Sequence, residues 1–516
     1  MNAIVIGRRT LLLAGAMAAA GPAIAQAAPL AKTNAGQVRG KMMGAIYAFQ
    51  GVPYGASTAG HRFEPPRPPQ PWTGVRDATS FANQSPQLGA DRPIMYASWT
   101  NARPESEDCL YLNVYTPGLR DGKKRPVMVW LHGGGYTSGS SHSLYAIGDR
   151  LAHRGDVVVV TVNHRLNAFG YLYLAHLDPT LADSGNVGQL DIVHALRWVR
   201  DNAAEFGGDP GNVTIFGQSG GGGKVSTLMA TPPAQGLFHR AIVQSGSGIT
   251  AITPEQAKAS TAKVLAALKL KPDDVAGLKA VPQARLSQAL VSAGAAFGPV
   301  VDGRSLPRHP FEPDAPLTSK AVPLLVGTAK DETRGLVGGR DESLFHIAWD
   351  ELPKKLTGEV GKADVARTVA VLRQQSPKDN AGDVYFTATT EYRFRRRAIL
   401  QAERKAAQAR QGGAPVYMYF VAWESPVNGG KWRAPHSIEH AFVFDNVAVS
   451  ASMVGSGPDQ QKVADAMSSA WTRFARSGDP GWAAYNPQTR PTMVFNTVSR
   501  VVEDPRKAER ELFQSA

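Results

Sequence analysis

The sequence predicts an α/β fold in which helices cover both faces of a mostly parallel central sheet. Short apolar runs rich in β-branched residues alternate with helical patterns along most of the 516 residues, and this alternation is typical of parallel sheets with crossover helices. No internal repeat and no long low-complexity linker follows residue 28. Hydrophobic residues make up 43% of the chain and charged residues 19%, a composition that can bury a large core and excludes global disorder.

Six apolar runs predict the buried strands of this sheet. They fall at residues 126–131, 157–162, 213–216, 241–243, 323–326 and 416–421. Residues 186–206 carry apolar side chains at helical spacing, and Gly207-Gly208 follows to end that helix. We expect residues 254–320 to form helices and loops that cap the carboxyl edge of the sheet, where ligands bind in open α/β sheets. We expect residues 28–516 to be one domain.

The first 25 residues have the features of a secretory signal peptide. Arg8-Arg9 precedes an apolar run at residues 11–20, and small residues follow that run. The run is shorter than the roughly 20 residues of a membrane-spanning helix, so we expect no membrane span. Cleavage after Ala25 and cleavage after Ala27 both fit the pattern. We therefore expect an exported protein, periplasmic or secreted; the paired arginines indicate the twin-arginine route and leave the Sec route open.

Charge and cysteine content narrow the classes of partner. The chain has 56 basic and 43 acidic residues, a net charge of +13. The cluster of arginines at 393 and 395–397 is typical of the solvated face of a helix, and no nucleic-acid-binding motif accompanies it, so we expect no nucleic-acid partner. The single cysteine, Cys109, excludes an intramolecular disulfide and a cysteine-built metal site. We expect no metal and no organic cofactor.

The pentapeptide Gly217-Gln218-Ser219-Gly220-Gly221 stands between a predicted strand and a helical pattern at residues 224–230. The spacing G-x-S-x-G recurs by chance in glycine-rich chains, and its position is what makes it informative. A sharp strand-to-helix turn needs small neighbours. It also lifts the serine hydroxyl to a helix N-terminus, where N–H groups can stabilise an oxyanion. Ser219 is therefore the candidate nucleophile.

A second glycine run, His132-Gly133-Gly134-Gly135, directly follows the strand at 126–131. Glycines at this point allow backbone N–H groups to turn into a site and to supply oxyanion donors. Because each motif follows a strand, and in this order, the two together are far more specific than either alone.

An acid and a histidine are needed to activate the serine, and each has two candidates. Hydrolases with this elbow carry the acid and then the histidine later in the chain. Asp331 and Glu332 come just beyond the strand at 323–326, and His436 and His440 lie in the loop after the strand at 416–421. Spacing alone separates neither pair.

Ordered motifs along the chain resemble those of the type-B carboxylesterases of the α/β-hydrolase superfamily, a group that includes the para-nitrobenzyl esterases and the cholinesterases. The resemblance runs from about residue 33 to the C-terminus. Besides the two glycine motifs, it rests on residues 50–54 (QGVPY), 106–114 (SEDCLYLNV), 206–210 (FGGDP), 301–303 (VDG) and 442–446 (FVFDN). It implies an α/β-hydrolase fold and esterase activity.

The resemblance also implies a catalytic triad, three oxyanion donors and three neighbouring residues. The nucleophile, acid and base fall on Ser219, Glu332 and His436. The backbone N–H donors fall on Gly134, Gly135 and Gly220. The residues that support or line the site fall on Gln218, Asp331 and His440.

The chain departs from the family pattern in three places. The family usually carries Glu before the serine, and Gln218 here lacks that negative charge, which argues against a quaternary-ammonium substrate. Many relatives pair the cysteine of the Glu-Asp-Cys-Leu motif with an earlier one, and Ser85 lies in the segment that replaces it, so we expect Cys109 to be a buried free thiol. Ser437 and Gly220 stand where relatives often have Gly and Ala.

The sequence thus predicts a serine carboxylesterase that hydrolyses a small-molecule ester through an acyl-enzyme. An amidase, a lactonase or an esterase specialised for a xenobiotic or a polyester would use the same triad. The alternative of another class is a relative that kept the fold as a non-catalytic binding or adhesion module. Trp99, Phe297 and Trp423 are candidates for the pocket lining. The natural substrate and the oligomeric state are left open.

Overall fold

The computed structural model describes residues 28–88, 94–99, 101 and 103–514. The predicted signal peptide, with Ala25 and Ala27, lies outside these residues. Within them, no helix is long and apolar enough to cross a membrane.

The described residues contain a large mixed sheet and a small one. The strands are β1 (Leu30–Lys32), β2 (Gln37–Arg39), β3 (Lys41–Met43), β4 (Ile46–Pro53), β5 (Val75–Asp77), β6 (Tyr111–Thr116), β7 (Arg125–Leu131), β8 (Val158–Val162), β9 (Gly208–Gln218), β10 (Arg240–Gln244), β11 (Leu324–Ala329), β12 (Val416–Val421), β13 (Pro491–Phe495) and β14 (Arg500–Glu503). The large sheet has the order β14-β13-β12-β11-β10-β9-β7-β8-β6-β4-β3, and β1, β2 and β5 form the small one. Strands β8 to β13 of the large sheet run parallel with β7, and antiparallel strands stand at both edges.

Helices cover both faces of the large sheet. They are α1 (Asp149–Gly155), α2 (Asn167–Tyr171), α3 (Val187–Asn202), α4 (Gly220–Met229), α5 (Pro254–Ala267), α6 (Val275–Ala280), α7 (Gln283–Ala293), α8 (Leu352–Leu356), α9 (Val365–Gln375), α10 (Ala381–Thr390), α11 (Arg396–Arg410), α12 (Glu439–Val443), α13 (Ala451–Val454), α14 (Pro458–Ser477) and α15 (Lys507–Phe513). On β7, Val127, Val129 and Leu131 face a core built with α3, α4 and α11. Met128 and Trp130 face the opposite core, with α1 and α14. Because successive strand residues point to opposite faces, both faces need apolar side chains, which explains the continuous apolar runs.

The six predicted strands and the predicted helix are confirmed; the strand at 416–421 matches in full, and the ends of the other elements are shifted. The helix spans α3 and a 3₁₀ turn at Ala203–Phe206, and Gly207 ends it at a φ of 72°. Strand β9 begins earlier than predicted, at Gly208, because Gly208 pairs with Arg125, the first residue of β7. Helix α4 also begins earlier, at Gly220, although glycine disfavours helices.

Residues 254–320 contain the predicted helices and loops. Helices α5, α6 and α7 bury apolar side chains in a cluster shared with the segment after β8, which includes Phe169 and Leu174. No residue between 254 and 320 is among those that line the candidate cavity described below.

The arginine cluster is only partly a solvated helix face. Arg393 and Arg397 are exposed. Arg395 is buried, with its guanidinium nitrogen 2.9 Å from Glu391. The prediction was wrong for Arg395, because the cluster spans a π-helical turn that directs this side chain inward.

Four strand ends bring the candidate site together. The segments that follow β7, β9, β11 and β12 carry the glycine run, Ser219, the acid pair and the histidine pair. Because parallel strands end at the same edge of a sheet, residues far apart in the chain meet there.

Candidate active site

Ser219 occupies a strained turn that only small neighbours allow. Its φ of 58° and ψ of −123° lie in a region that side-chain-bearing residues rarely adopt. A Cβ atom on Gly221 would collide with the carbonyl oxygen of Leu131, and one on Gly246 would collide with that of Ser219. The backbone N–H of Ser219 donates to the carbonyl oxygen of Gln244 at 2.8 Å. The turn is therefore packed directly against the neighbouring strand ends.

The glycine run after β7 lies against this turn. Gly134 and Gly135 have φ values of 90° and 63°, which favour glycine. A Cβ atom on Gly220 would collide with the carbonyl oxygen of Gly135. The three glycines predicted to carry the oxyanion donors thus lie beside one another, and Gly134 and Gly135 line a cavity with Ser219.

Glu332 and His436 are in direct contact. Oε2 of Glu332 lies 2.5 Å from Nδ1 of His436, and Oε1 accepts the N–H of Ala329 at 2.8 Å. Both side chains are buried. A carboxylate on Nδ1 holds the imidazole proton there and directs Nε2 away from it.

Asp331 and His440, the other candidates for the acid and the base, occupy different environments from Glu332 and His436. Asp331 accepts the N–H of Ala434 at 3.3 Å, and burial raises its pKa. His440 stacks on Tyr145 with ring centroids 4.0 Å apart, and neither ring nitrogen has a hydrogen-bond partner among the described residues. Burial holds the pKa of His440 well below its usual value. Asp331 is therefore hydrogen-bonded to the loop that precedes His436, and His440 is an uncharged aromatic side chain in the lining of the site.

The amide of Gln218 packs on the imidazole of His436. Its nitrogen lies 3.2 Å from Nε2 and 3.4 Å from Nδ1. Because these distances are nearly equal, the amide nitrogen lies over the ring and not in line with the lone pair of either ring nitrogen. Ser437 donates its hydroxyl to Oε1 of Gln218 at 3.0 Å. Ser437 has a φ of 74°, in the left-handed region that favours glycine.

The cavity at this site has a volume of about 590 Å³, within the range of small-molecule sites. Its lining is Leu88, Tyr96, Trp99, Gly133, Gly134, Gly135, Thr137, Ser138, Gly139, Ser143, Tyr145, Gln218, Ser219, Leu336, Arg340, His436, Ser437 and His440. Of the three predicted lining aromatics, Trp99 is present. Trp423 and Phe297 are not among these residues, so the prediction was wrong for both: Trp423 packs edge-on against Phe442, and Phe297 packs against the cluster of α5, α6 and α7.

Sequence reasoning missed a third buried carboxyl group at the site, beside those of Asp331 and Glu332. Glu439 is fully buried and accepts the hydroxyl of Ser245 at 2.9 Å. Burial and the charge of Glu332 raise the pKa of Glu439 to about 7. The sequence shows an acid three residues after His436, but no local pattern signals that it is buried.

The prediction for Cys109 is confirmed. The thiol is free and buried, and the hydroxyl of Ser85 lies within hydrogen-bond reach of it. Burial raises the pKa of Cys109 far above that of an exposed thiol, which makes it a poor nucleophile.

Known proteins resemble this chain over almost its full length. A sequence model described as the carboxylesterase family matches residues 27–513. A para-nitrobenzyl esterase of Bacillus subtilis (strain 168) is 34% identical over 504 residues, which cover 94% of this chain and 98% of that relative. A phenmedipham hydrolase of Pseudarthrobacter oxydans is 33% identical, over 88% of this chain and 90% of that relative.

Solved structures agree. The crystal structure of a carboxylesterase from Geobacillus stearothermophilus matches with a TM-score of 0.82 at 38% identity, over 94% of this chain and 100% of that one. An esterase of Clostridium hathewayi that can hydrolyse aliphatic aromatic polyesters matches with a TM-score of 0.79 at 32% identity, over 95% of this chain and 99% of that one. These matches make the protein a carboxylic ester hydrolase with the α/β-hydrolase fold. The chain belongs to the carboxylesterase family, as its ordered motifs predicted.

Proposed function

We propose that the protein hydrolyses carboxylic esters through an acyl-enzyme formed on Ser219, with His436 as general base and Glu332 as the acid that orients it. The observation that carries the proposal is the 2.5 Å contact between Glu332 and Nδ1 of His436, beside the cavity that Ser219 and His436 line. With its proton held on Nδ1, the imidazole presents Nε2 to take the serine proton.

In the first half of the reaction, the Ser219 hydroxyl oxygen attacks the ester carbonyl carbon while Nε2 of His436 takes its proton. The carbonyl electron pair moves onto oxygen, which the N–H groups of Gly134, Gly135 and Gly220 stabilise. The bond to the alcohol oxygen then breaks, and the alcohol leaves with the proton from Nε2. Water attacks the acyl group in the same way, and Ser219 regains its proton as the carboxylic acid leaves.

The charges around the cavity favour neutral or anionic esters over cationic ones. Among the described lining residues, none carries a carboxylate, and Arg340 contributes a guanidinium. The neutral amide of Gln218 adds no charge beside the nucleophile. A quaternary ammonium group would therefore find no counter-ion in this lining, whereas a free carboxylate on the substrate could pair with Arg340.

Amidase, lactonase and xenobiotic or polyester hydrolase activities are alternatives on the same triad. One relative carries the name phenmedipham hydrolase, and a similar solved structure is of an esterase that can hydrolyse aliphatic aromatic polyesters, so phenmedipham and polyesters belong in a substrate panel beside simple esters. The non-catalytic alternative is disfavoured, because the candidate nucleophile, acid and base are all present and share one site.

The decisive experiment is turnover of para-nitrophenyl butyrate by the wild type and by Ser219→Ala, with labelling by a fluorophosphonate. Turnover and labelling in the wild type, with both lost in a folded Ser219→Ala, support the proposal. A folded wild type with neither turnover nor labelling would refute it and favour the binding-module alternative.

We also propose that residues 1–25 are a secretory leader and that residues 28–516 form the single mature domain. The paired arginines, the short apolar run and the small residues after it support this. N-terminal sequencing of protein from the periplasmic fraction tests it. A chain that starts at Gln26 or Ala28 supports export, and a chain that keeps the leader contradicts it.

A further inference from the structure

A buried lysine lies directly behind the candidate oxyanion donors. Lys224 is in the second turn of α4, and its side chain has no exposed area. Its ammonium nitrogen donates to the carbonyl oxygen of His132 at 2.8 Å and to that of Gly135 at 3.0 Å. These carbonyl groups belong to the first and last residues of the glycine run, so one side chain ties both ends of the run together.

The run needs such a tie, because glycine is the most flexible residue in a chain. Gly134 and Gly135 both have positive φ values, and other backbone conformations are open to them at little cost. Oxyanion donors contribute most when they are held in place before the reaction begins. A hydrogen bond at each end removes much of the freedom of the three glycines.

Lys224 also brings a charge that the resting site does not balance. Within the described part of the chain it forms no ion pair, and the ring centroid of Tyr136 lies 5.5 Å from the ammonium nitrogen. A buried cation without a counter-ion is costly. A negative charge that develops on the substrate oxygen, on the other side of the glycine run, would offset that cost.

We propose that Lys224 is a positioning residue for the oxyanion hole, whose ammonium group holds the two ends of the glycine run and supplies a positive charge that the reaction's oxyanion balances. The inference rests on the proposed function and goes beyond it, because Lys224 lies behind the glycine run and contacts no substrate.

The charge of Lys224 is sensitive to pH near neutrality. Burial lowers its pKa to about 7, so the ammonium form dominates below that pH. The neutral amine above it still has two N–H groups for the two carbonyl oxygens. The glycine run therefore keeps its shape as the pH rises, while the positive charge is lost. We expect kcat of the wild type to fall above neutral pH for this reason.

The neighbouring groups do not change charge in this range. His132 and His164 stack with ring centroids 4.8 Å apart, and burial and the charge of Lys224 hold the pKa of each well below its usual value. Burial raises the pKa of Tyr136 to about 12. Beyond them, Arg165 and Asp191 form a buried ion pair at 2.7 Å. Lys224 is thus the group of this set that titrates near pH 7.

The chain provides a matched control. Lys405 on α11 is also buried, donates to the carbonyl oxygens of Ser319 and Lys320 at 2.9 and 3.1 Å, and has a pKa lowered by burial to about 7. It is not among the residues that line the cavity. Lys405→Met therefore measures the general effect of removing a buried lysine. The difference between Lys224→Met and Lys405→Met then measures the effect of the position beside the glycine run.

The experiment measures kcat and KM for para-nitrophenyl butyrate, the inhibition constant of a trifluoromethyl ketone that forms an oxyanion adduct with the serine, and the melting temperature. We expect Lys224→Met to lower kcat by about 10- to 100-fold with little change in KM. We expect it to raise the inhibition constant of the ketone by a similar factor. We expect Lys405→Met to match the wild type in kcat and in ketone affinity. In Lys224→Gln, the fall of kcat above neutral pH should disappear.

Each outcome decides the proposal. A folded Lys224→Met with kcat and ketone affinity close to those of the wild type overturns it. Persistence of the high-pH fall in Lys224→Gln overturns the part that concerns charge. If neither Lys224 variant folds where Lys405→Met does, Lys224 serves stability alone and the proposal fails. A folded wild type with neither turnover nor fluorophosphonate labelling would instead refute the proposed function, and no activity would remain to compare.

Discussion

Replacement of Glu332 by glutamine tests the candidate triad at a group whose two oxygen atoms are both engaged. Oε2 contacts Nδ1 of His436 at 2.5 Å, and Oε1 accepts the N–H of Ala329 at 2.8 Å. Glutamine has one acceptor oxygen and one NH₂ group. The N–H of Ala329 can only donate, so the amide oxygen faces it and the NH₂ group faces His436. The imidazole must then carry its proton on Nε2, where it cannot accept the proton of Ser219.

The expected loss follows from this change of tautomer. Serine hydrolases held in the wrong tautomer by a carboxylate-to-amide change lose about 10⁴-fold in kcat, which corresponds to about 5 kcal/mol of activation free energy. Glu332 is fully buried, so solvent cannot take its place. We expect a loss of this size in kcat for para-nitrophenyl butyrate at an unchanged melting temperature.

Asp331→Asn is the matched control, because it makes the same chemical change at the neighbouring position. The Asp331 carboxyl group accepts the N–H of Ala434, and asparagine keeps an acceptor for it, so we expect a loss of less than about tenfold. The reasoning would be wrong if Glu332→Gln kept more than about a tenth of the wild-type kcat, or if the two variants lost activity equally.

Three further predictions concern other residues of the site. Gln218→Glu places a carboxylate on the candidate imidazole base and stabilises its charged form, so the acidic limb of kcat/KM should move up by about one pH unit; an unmoved limb contradicts this. Gly221→Ala drives a Cβ atom into the carbonyl oxygen of Leu131 and should lower the free energy of unfolding by about 1–3 kcal/mol, as measured in urea, whereas Gly60→Ala, with open space around its Cβ, should not. Burial raises the pKa of Glu439 from 4.5 to about 7, so its stabilising contribution is present below pH 4.5 and is lost as the pH rises through about 7. The free energy of unfolding of Glu439→Gln should therefore rise by up to about 3 kcal/mol relative to that of the wild type between those two pH values. An equal difference between the two proteins at both pH values would refute the raised pKa of Glu439.

Much of the fold could be predicted because buried parallel strands need continuous apolar runs. The run at 126–131 became β7, and the run at 416–421 matched β12 residue for residue. Element ends were less predictable. Helix α4 begins at Gly220 in a run of glycines with poor helix propensity, because close packing against the glycine run after β7 excludes any larger residue. That packing leaves no periodic signal in the sequence.

The residues of the candidate site also differ in whether the sequence could reveal them. Ser219 and the glycine run could be found from sequence, because a strained turn and close backbone approach can be met by few residue types, and these recur at fixed spacing. Glu439 and Lys224 could not be found, because an acid or a lysine carries no mark of its burial. Arg395 misled for the same reason, since a charged side chain is normally expected in solvent.

The sequence by itself determined the elements and the chemistry available at their ends. Periodicity and glycine placement are local properties, and they are legible wherever a strand, a helix or a tight turn needs them. Only the tertiary structure decided which of two neighbouring candidates meet. Glu332 reaches His436 across 104 positions in the chain, and Lys224 reaches His132 across 92. Such contacts depend on how separate loops pack at one sheet edge, and no local pattern of residues encodes that packing.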